Sequence, residues 1–324
     1  MNDTSFAAAQ DRLLHRHGVR ARSRRIEIAG PVRHAHVLDA GSGPPVLLVH
    51  GGGGFSAQWA PLLAALQDHH RLLAVDRPGF GLTDRFSYAD GPQDLRAHAV
   101  GFLDAVLDAL ALDRVPIVAN SMGALWSLWL ATARPERVER LVLAGAPALL
   151  LDSHAPLRMR AQAHRVVGPI LRRRGGGAPA SAAAVRAAYE ELGDPVAAAD
   201  PAFVAAVLAH RARPGEAVAF GPLVRRVTSL RGQRGICFGA AELRRLELPV
   251  RLVWGTRDNF ADADVGRRAA ALLPHGELRV VAGGHLPWLT SPSRVAALAR
   301  EFLARPKPVR PTVDRWWPRL DRRP

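Results

Sequence analysis

The sequence predicts an α/β protein: a mostly parallel, doubly wound sheet interrupted by an α-helical insertion. Three observations carry this expectation. Apolar strand-like runs alternate with helix-like stretches as far as residue 145, and again from 248 to 303. Such alternation is the pattern of a parallel sheet covered on both faces. Between those blocks, residues 148–247 lose it and show helix-like pieces separated by prolines and "RRRGGG". Third, "VANSMG" at 118–123 runs a buried strand straight into a helix, with small residues on either side of the turn.

Taken in order, residues 5–17 predict a short helix. "RRIEI" and "HAHVLDA" predict two strands, "GSGPP" a turn, and "VLLVH" (46–50) a buried strand. "SAQWAPLLAALQ" predicts a helix with Ser56 as N-cap. "RLLAVD" ends a strand at Asp76, and residues 93–112 are helical in pattern. "VPIVAN" is the next strand, with Pro116 near its start, where proline is tolerated. "SMGALWSLWLATA" is a helix closed by Pro135, and "VERLVLAG" a strand. After the irregular hundred residues come "LPVRLVWG", a helix near 262–273, "ELRVVAG" and a last helix over 292–303. The expected division is 1–147 and 248–303 for the sheet domain, 148–247 for the insertion, and 304–324 for a Pro/Arg-rich surface tail pinned by Trp316 and Trp317.

At 324 residues and 48% hydrophobic, the chain can bury one large core. No apolar run reaches the roughly 20 residues of a membrane span. "MNDTSFAAAQDRLLHRHG" lacks a signal-peptide core, and no hydrophobic region follows the twin-arginine echo "SRRIEI". A cytoplasmic location is expected, in keeping with a single cysteine, Cys237. The net charge of +15 is nearly all arginine, Lys307 being the sole lysine. One reading is base composition and solvated faces; the sharper one is an anionic substrate or partner. No helix-turn-helix, zinc-finger or aromatic-basic module supports nucleic acid. No membrane partner is expected, and nothing in the pattern specifies an oligomeric state.

Parallel sheets place ligands outside the carboxyl ends of their strands. There the chain sets His50-Gly51-Gly52-Gly53-Gly54, Asp76-Arg77, Asn120-Ser121, Asp258 and His285. Ser, Asp and His, in that order and past different strands, form the chain order of one known triad architecture. Serine is a poor nucleophile at its own pKa and needs a base. His285 is the candidate, and Asp258 would fix its tautomer. Asp152, past "LVLAGAPALLL", is the rival acid. His275 precedes a strand, the wrong end of the sheet, and His34 with His36 lacks a third metal ligand. No metal or cofactor is expected. The backbone N–H groups of Gly52 and Met122 would form the oxyanion hole. Phe55, Phe80, Trp126 and Trp288 are candidate apolar lining.

A rival reading uses Gly52-x-Gly54-x-x-Ala57 as a dinucleotide fingerprint, with Asp76 on the ribose. Against it, strand-like runs precede the motif, "RPGFG" is unexplained, and a Tyr-x-x-x-Lys pair is impossible with Tyr88, Tyr189 and Lys307 the only such residues.

With these residues placed, the chain resembles the α/β-hydrolase superfamily over roughly residues 24–303, through "LLVHGGGGFSAQW", "DRPGFGLTD", "ANSMGALWSLWLATARPERVERLVLAGAP", "VWGTRDNF" and "GGHLPWLTSP". The resemblance implies that fold, with 148–247 as the family's cap over the pocket, and a carboxylic ester, thioester or lactone as substrate. "HGGGG" with "NSMG" looks like the meta-cleavage-product hydrolases, which cut carbon–carbon bonds; this would make Asn120 a substrate contact. Two features depart from that subgroup. Leu286 follows His285 where those enzymes carry tryptophan, with Trp288 two places on, and none of the cap arginines, Arg158, Arg160 and Arg165 among them, is singled out for a substrate carboxylate. Serine at position 121 argues against the family's epoxide hydrolases and dehalogenases. A catalytically silent ligand-binding protein is the alternative of another class.

Overall fold

A computed structural model describes residues 3–89, 94–174 and 181–306. Lys307, Trp316, Trp317 and the rest of the expected tail lie outside the described residues. The chain opens with α1 (Asp3–Arg16), β1 (Ala21–Glu27), β2 (His34–Ala40) and β3 (Pro45–Val49). It continues through α2 (Ala60–Leu66), β4 (Arg71–Val75), α3 (Leu95–Ala109), β5 (Val115–Ala119), α4 (Ser121–Ala133) and β6 (Val138–Ala144). The insertion holds α5 (Leu157–Ala163), α6 (Val167–Arg174), α7 (Ala182–Glu191), α8 (Pro195–Ala199), α9 (Pro201–Arg211) and α10 (Glu216–Val227). A small hairpin, β7 (Thr228–Ser229) with β8 (Gly232–Gln233), and α11 (Ala240–Arg244) complete it. β9 (Val250–Gly255), α12 (Ala263–Leu272), β10 (Gly276–Val281), α13 (Pro287–Thr290) and α14 (Pro292–Leu303) close the fold.

Eight strands form one sheet in the order β1-β2-β4-β3-β5-β6-β9-β10. β1 and β2 run antiparallel to their neighbours, and all other pairs are parallel. The parallel strands read as near-continuous apolar runs because helices cover both faces. On β5, Ile117 and Ala119 join the core under α3, α4 and α12, while Val118 joins the one under α1, α2 and α14. That alternation is the period of two of a strand. From β3 the chain steps to β4 on one side, then crosses to β5 on the other. The carboxyl ends of β3 and β5 therefore flank a topological switch point, where such sheets bind ligands.

The expected elements are present, with shifts at their ends. Ser56 is not an α-helix N-cap: Ser56–Trp59 is a 3₁₀ turn, α2 begins at Ala60, and the serine hydroxyl points to Gln10. α3 is shorter than 93–112, starting where Asp94 accepts from the N–H groups of Arg96 and Ala97. None of the helices among the described residues is long and apolar enough to cross a membrane.

Candidate active site

β5 delivers Asn120 and Ser121 into the first turn of α4. Ser121 has φ +49°, a left-handed conformation that costs a non-glycine residue about 1–3 kcal/mol. Its surroundings impose this. α4 is buried nearly all round, so its axis is fixed, and a Cβ on Gly123 would stand 2.3 Å from the Val49 carbonyl oxygen. The helix thus lies directly on the end of β3, and the chain has only one residue in which to turn. Ala119, two residues before Ser121, is fully buried and in register with Val49 and Leu143, so its methyl is accommodated.

The loop after β9 brings Asp258, and the loop after β10 brings His285. The His285 ring Nδ1 lies 2.9 Å and 3.1 Å from the two Asp258 carboxylate oxygens. Asp258 also accepts from the N–H of Ala146 at 2.7 Å and of Phe260 at 3.0 Å, so both oxygens are fixed by backbone. Phe260 stacks on the imidazole, ring centroids 3.8 Å apart and planes 16° from parallel. The other ring nitrogen, Nε2, is buried with no hydrogen-bond partner. Ser121, His285, Gly52 and Met122 all line one narrow cavity of about 90 Å³. Met122 is the second residue of α4, where helix N–H groups have no intrahelical acceptor.

Other candidates are placed elsewhere. Asp152 is exposed and paired with Arg268 at 2.6 Å, so it is not the acid beside His285. His275 is exposed. His34 sits on Asp84, and His36 on Asp76 and Ser23. Asp76 is fully buried and holds the Ser56 and Leu82 N–H groups along with His36, so its carboxylate serves the fold rather than a ribose. Burial raises the Asp76 pKa, but the His36 contacts outweigh it and bring it to about 2. His50 donates from Nδ1 to Gly51 O and accepts at Nε2 from the Arg77 N–H, a pattern only neutral imidazole satisfies. Burial, with Arg77 beside it, pushes its pKa down to about 3.

All four of the expected aromatic lining residues are core residues instead. Phe55 is fully buried against Phe6 and His210. Trp288 stacks on Trp59 at 4.0 Å and donates to the Gln58 carbonyl. Phe80 and Trp126 are likewise buried, flanking the Arg77 guanidinium. Asn120 does line the cavity, but its amide donates to the carbonyls of Ala144 and His285, which ties the serine turn to the histidine loop. The insertion supplies the opposite wall through Met159, Leu192, Phe220 and Val224. A polar pair stands among them, Gln58 donating to the Tyr189 hydroxyl at 2.6 Å.

The family model for the alpha/beta hydrolase fold matches residues 44–292. The chain belongs to that family: it is an α/β hydrolase. An uncharacterized protein of Mycobacterium tuberculosis is 30% identical over 271 residues, 83% of this chain and 78% of the relative. The 2-hydroxy-6-oxo-2,4-heptadienoate hydrolase of Pseudomonas putida is 42% identical over 132 residues, 40% of this chain and 46% of that one. Among solved structures, carboxylesterase CesB from Bacillus subtilis superposes with a TM-score of 0.73 at 22% identity, covering 93% of this hydrolase and 98% of the esterase.

Besides Phe220 and Phe260, a buried acid of the hydrolase escaped the sequence reading. Asp194, fully buried just before α8, accepts from the N–H groups of Gly284 (3.0 Å) and Leu286 (2.8 Å), one on each side of His285, and from the Thr290 hydroxyl (3.1 Å). Leu192 O accepts from the His285 N–H itself at 2.8 Å. A Cβ on Gly284 would stand 1.9 Å from that Leu192 oxygen, so glycine there lets the two loops touch backbone to backbone. Burial raises the Asp194 pKa, outweighing the Leu286 and Gly284 N–H bonds. The available signal was "GDP" before a helix-like run, which reads as a turn and not as a contact 90 residues away.

Proposed function

We propose that the protein is a serine hydrolase acting on a small carboxylic ester, thioester or lactone, with residues 148–247 as the cap over its site. Ser121 is the nucleophile, His285 the base and Asp258 the group that orients the imidazole. The observation that carries this reading is the imidazole: Nδ1 is held by a doubly anchored carboxylate, while Nε2 is left without a partner beside the cavity of the strained serine. An imidazole so held donates from Nδ1 and keeps a lone pair on Nε2. His285 takes the Ser121 proton as Oγ attacks the acyl carbon, and returns it to the leaving alcohol or thiol. Water then repeats the steps on the acyl-serine: its hydroxyl joins the acyl carbon, and its proton passes through His285 to Oγ. The Gly52 and Met122 N–H groups hold the oxyanion, with the N-terminus of α4 adding a favourable field.

Cleavage of a carbon–carbon bond is the second reading, favoured by the identity to the Pseudomonas putida hydrolase. A screen of esters of graded acyl length, lactones and one vinylogous diketone separates the two.

The triad is tested by a fluorophosphonate probe and by rapid quench with an activated ester, followed by intact-mass analysis and peptide mapping. An adduct on Ser121, absent in Ser121→Ala, is expected, with kcat falling about 10⁶-fold in that variant. No adduct on Ser121 with any hydrolysed ester would refute the serine nucleophile.

A further inference from the structure

Beside the Ser121 cavity lies a second and larger one, about 700 Å³. Arg160, Arg165, Arg225, Arg226 and Arg234 line it together with His164, and none of its described lining residues is an aspartate or glutamate. Several arginines elsewhere are matched with acids, among them Arg71 with Asp39, Arg137 with Asp104, Arg251 with Glu277 and Arg268 with Asp152, whereas no described acid is gathered with the chamber's arginines. Arg160, Arg165, Arg225 and Arg234 have no carboxylate partner among the described residues. Arg160 donates from one terminal nitrogen to Leu230 O, while its Nε is buried and unpartnered; Arg234 donates to Thr228 O. Guanidinium groups gathered around one cavity repel one another at separations below the Debye length of about 8 Å. An entering anion relieves that repulsion.

The two cavities adjoin through α10. Val224 and Val227, one helical turn apart and so on one face, line the Ser121 cavity. Arg225 and Arg226 lie between them in sequence and face the larger chamber. Thr228, which follows them, is the one described residue that lines both cavities, so it marks where a molecule reacting at Ser121 would extend into the charged chamber.

We propose that this chamber recognises phosphate, and that the substrate is an acyl ester or thioester whose leaving group carries it. The proposal rests on the serine-hydrolase reading of the neighbouring site. The guanidinium fork matches phosphate oxygens in pairs. One carboxylate would occupy one such fork, whereas Arg160, Arg165, Arg225 and Arg234 together suit a dianionic phosphate or a diphosphate. In the reaction, Ser121 takes the acyl group and the phosphorylated alcohol or thiol departs with the proton from His285. Water then completes hydrolysis to the free carboxylic acid.

Two matched substrate pairs test this: butyryl-coenzyme A against S-butyryl-N-acetylcysteamine, and 1-butyrylglycerol 3-phosphate against 1-butyrylglycerol. Within at least one pair, kcat/KM should favour the phosphorylated member by about tenfold or more, the scale of one charged hydrogen bond. Whichever pair shows it distinguishes thiol from alcohol. The preference should fall to within about threefold in Arg165→Gln/Arg225→Gln and persist in Arg294→Gln, an exposed arginine on α14 away from the chamber. Calorimetric titration of the full chain with inorganic pyrophosphate reads the chamber without turnover. Parity in both pairs, with the neutral members hydrolysed, overturns the chamber and leaves the hydrolase reading intact. Loss of preference in Arg294→Gln as large as in the double variant also overturns it, since the general field of the protein would then be the cause. No turnover of any substrate, with pyrophosphate bound by the wild type and not by the double variant, sinks the hydrolase reading and upholds the chamber.

Discussion

Two buried aspartates hold the same histidine, and they hold different parts of it. Asp258, on the sheet side, meets the His285 ring and is itself fixed by the N–H groups of Ala146 and Phe260. Asp194, on the insertion side, never meets the ring; it grips the N–H groups of the residues before and after. The first sets which ring nitrogen carries the proton, and the second sets where the ring is hung. In the proposed reaction the sheet side would supply the chemistry, and the insertion part of the aim. The two contributions should separate in size when each carboxylate is neutralised.

The largest effect belongs to Asp258→Asn. The amide keeps the shape but no longer enforces the tautomer, and about 10⁴-fold in kcat is the scale of that loss, roughly 5.5 kcal/mol of barrier. Asp152→Asn, whose partner is the exposed Arg268, should leave kcat within about twofold of wild type. Steady-state kinetics on one activated ester checks both. The reverse ranking would move the orienting acid to the loop after β6.

This asymmetry also explains what could be read from the sequence. The sheet side was legible because its candidate residues follow strand ends: Ser121, Asp258 and His285 each stand just past a strand, and apolar runs mark those strands without a structure. Asp152 also follows a strand, and it is the contact of Asp258 with the His285 ring, against the pairing of Asp152 with Arg268, that separates the two. The insertion side has no such rule. Asp194 acts through contacts 90 and 92 positions away in sequence, between two loops of no regular pattern. Aromatic residues misled for a related reason. Phe55 and Trp288 sit close in sequence to the glycine loop and to His285, yet both side chains point into the core, and Phe220 and Phe260 form the wall instead. Proximity along the chain says nothing about side-chain direction once a loop is irregular. Gly52, expected as an oxyanion donor, lines the same cavity as Ser121 and His285.

Burial acts on bases as it does on Asp194, with the opposite sign, and this gives the next effect in size. It lowers the pKa of His50 to about 3, His210 to about 3 and His98 to about 4. Each lies below the unfolded value of about 6.5, so between these limits the unfolded chain binds more protons than the folded one. Stability therefore rises with pH across that window and is lost as pH falls below about 6.5. At full slope each group contributes about 1.4 kcal/mol per pH unit, about 4 kcal/mol for three. Asp194, its pKa raised, works against this slope above the ordinary carboxylate value. Urea unfolding at pH 6.5, 5.5 and 4.5 should show the fall, and His210→Gln, which keeps an acceptor for the Gly81 N–H, should flatten it by up to about 1.4 kcal/mol per pH unit. A stability flat from pH 6.5 to 4.5 would mean that these histidines are protonated in the fold.

The smallest and most discriminating effect is that of Asp194→Asn. The substitution keeps volume and one acceptor oxygen, but it turns the other oxygen into an NH₂ group. That donor must face the N–H of Gly284 or of Leu286, so one of the two grips on the His285 backbone becomes a repulsion. The ring itself keeps its bond to Asp258, and no reacting atom is touched. A displacement of about 1 Å in a catalytic group is enough for about 10²-fold; with Asp258, Asn120 and Leu192 still holding the loop, about tenfold in kcat is expected. KM should stay near wild type, because Asp194 does not reach the cavity lined by Ser121 and His285. The single-turnover rate of acyl-enzyme formation should fall by the same factor as kcat. Loss of stability alone would have another signature: a lower melting temperature, with kcat per folded molecule unchanged at low temperature. If that second pattern is found, Asp194 only fastens the insertion to the sheet domain, and the aim of His285 is set by the sheet side alone.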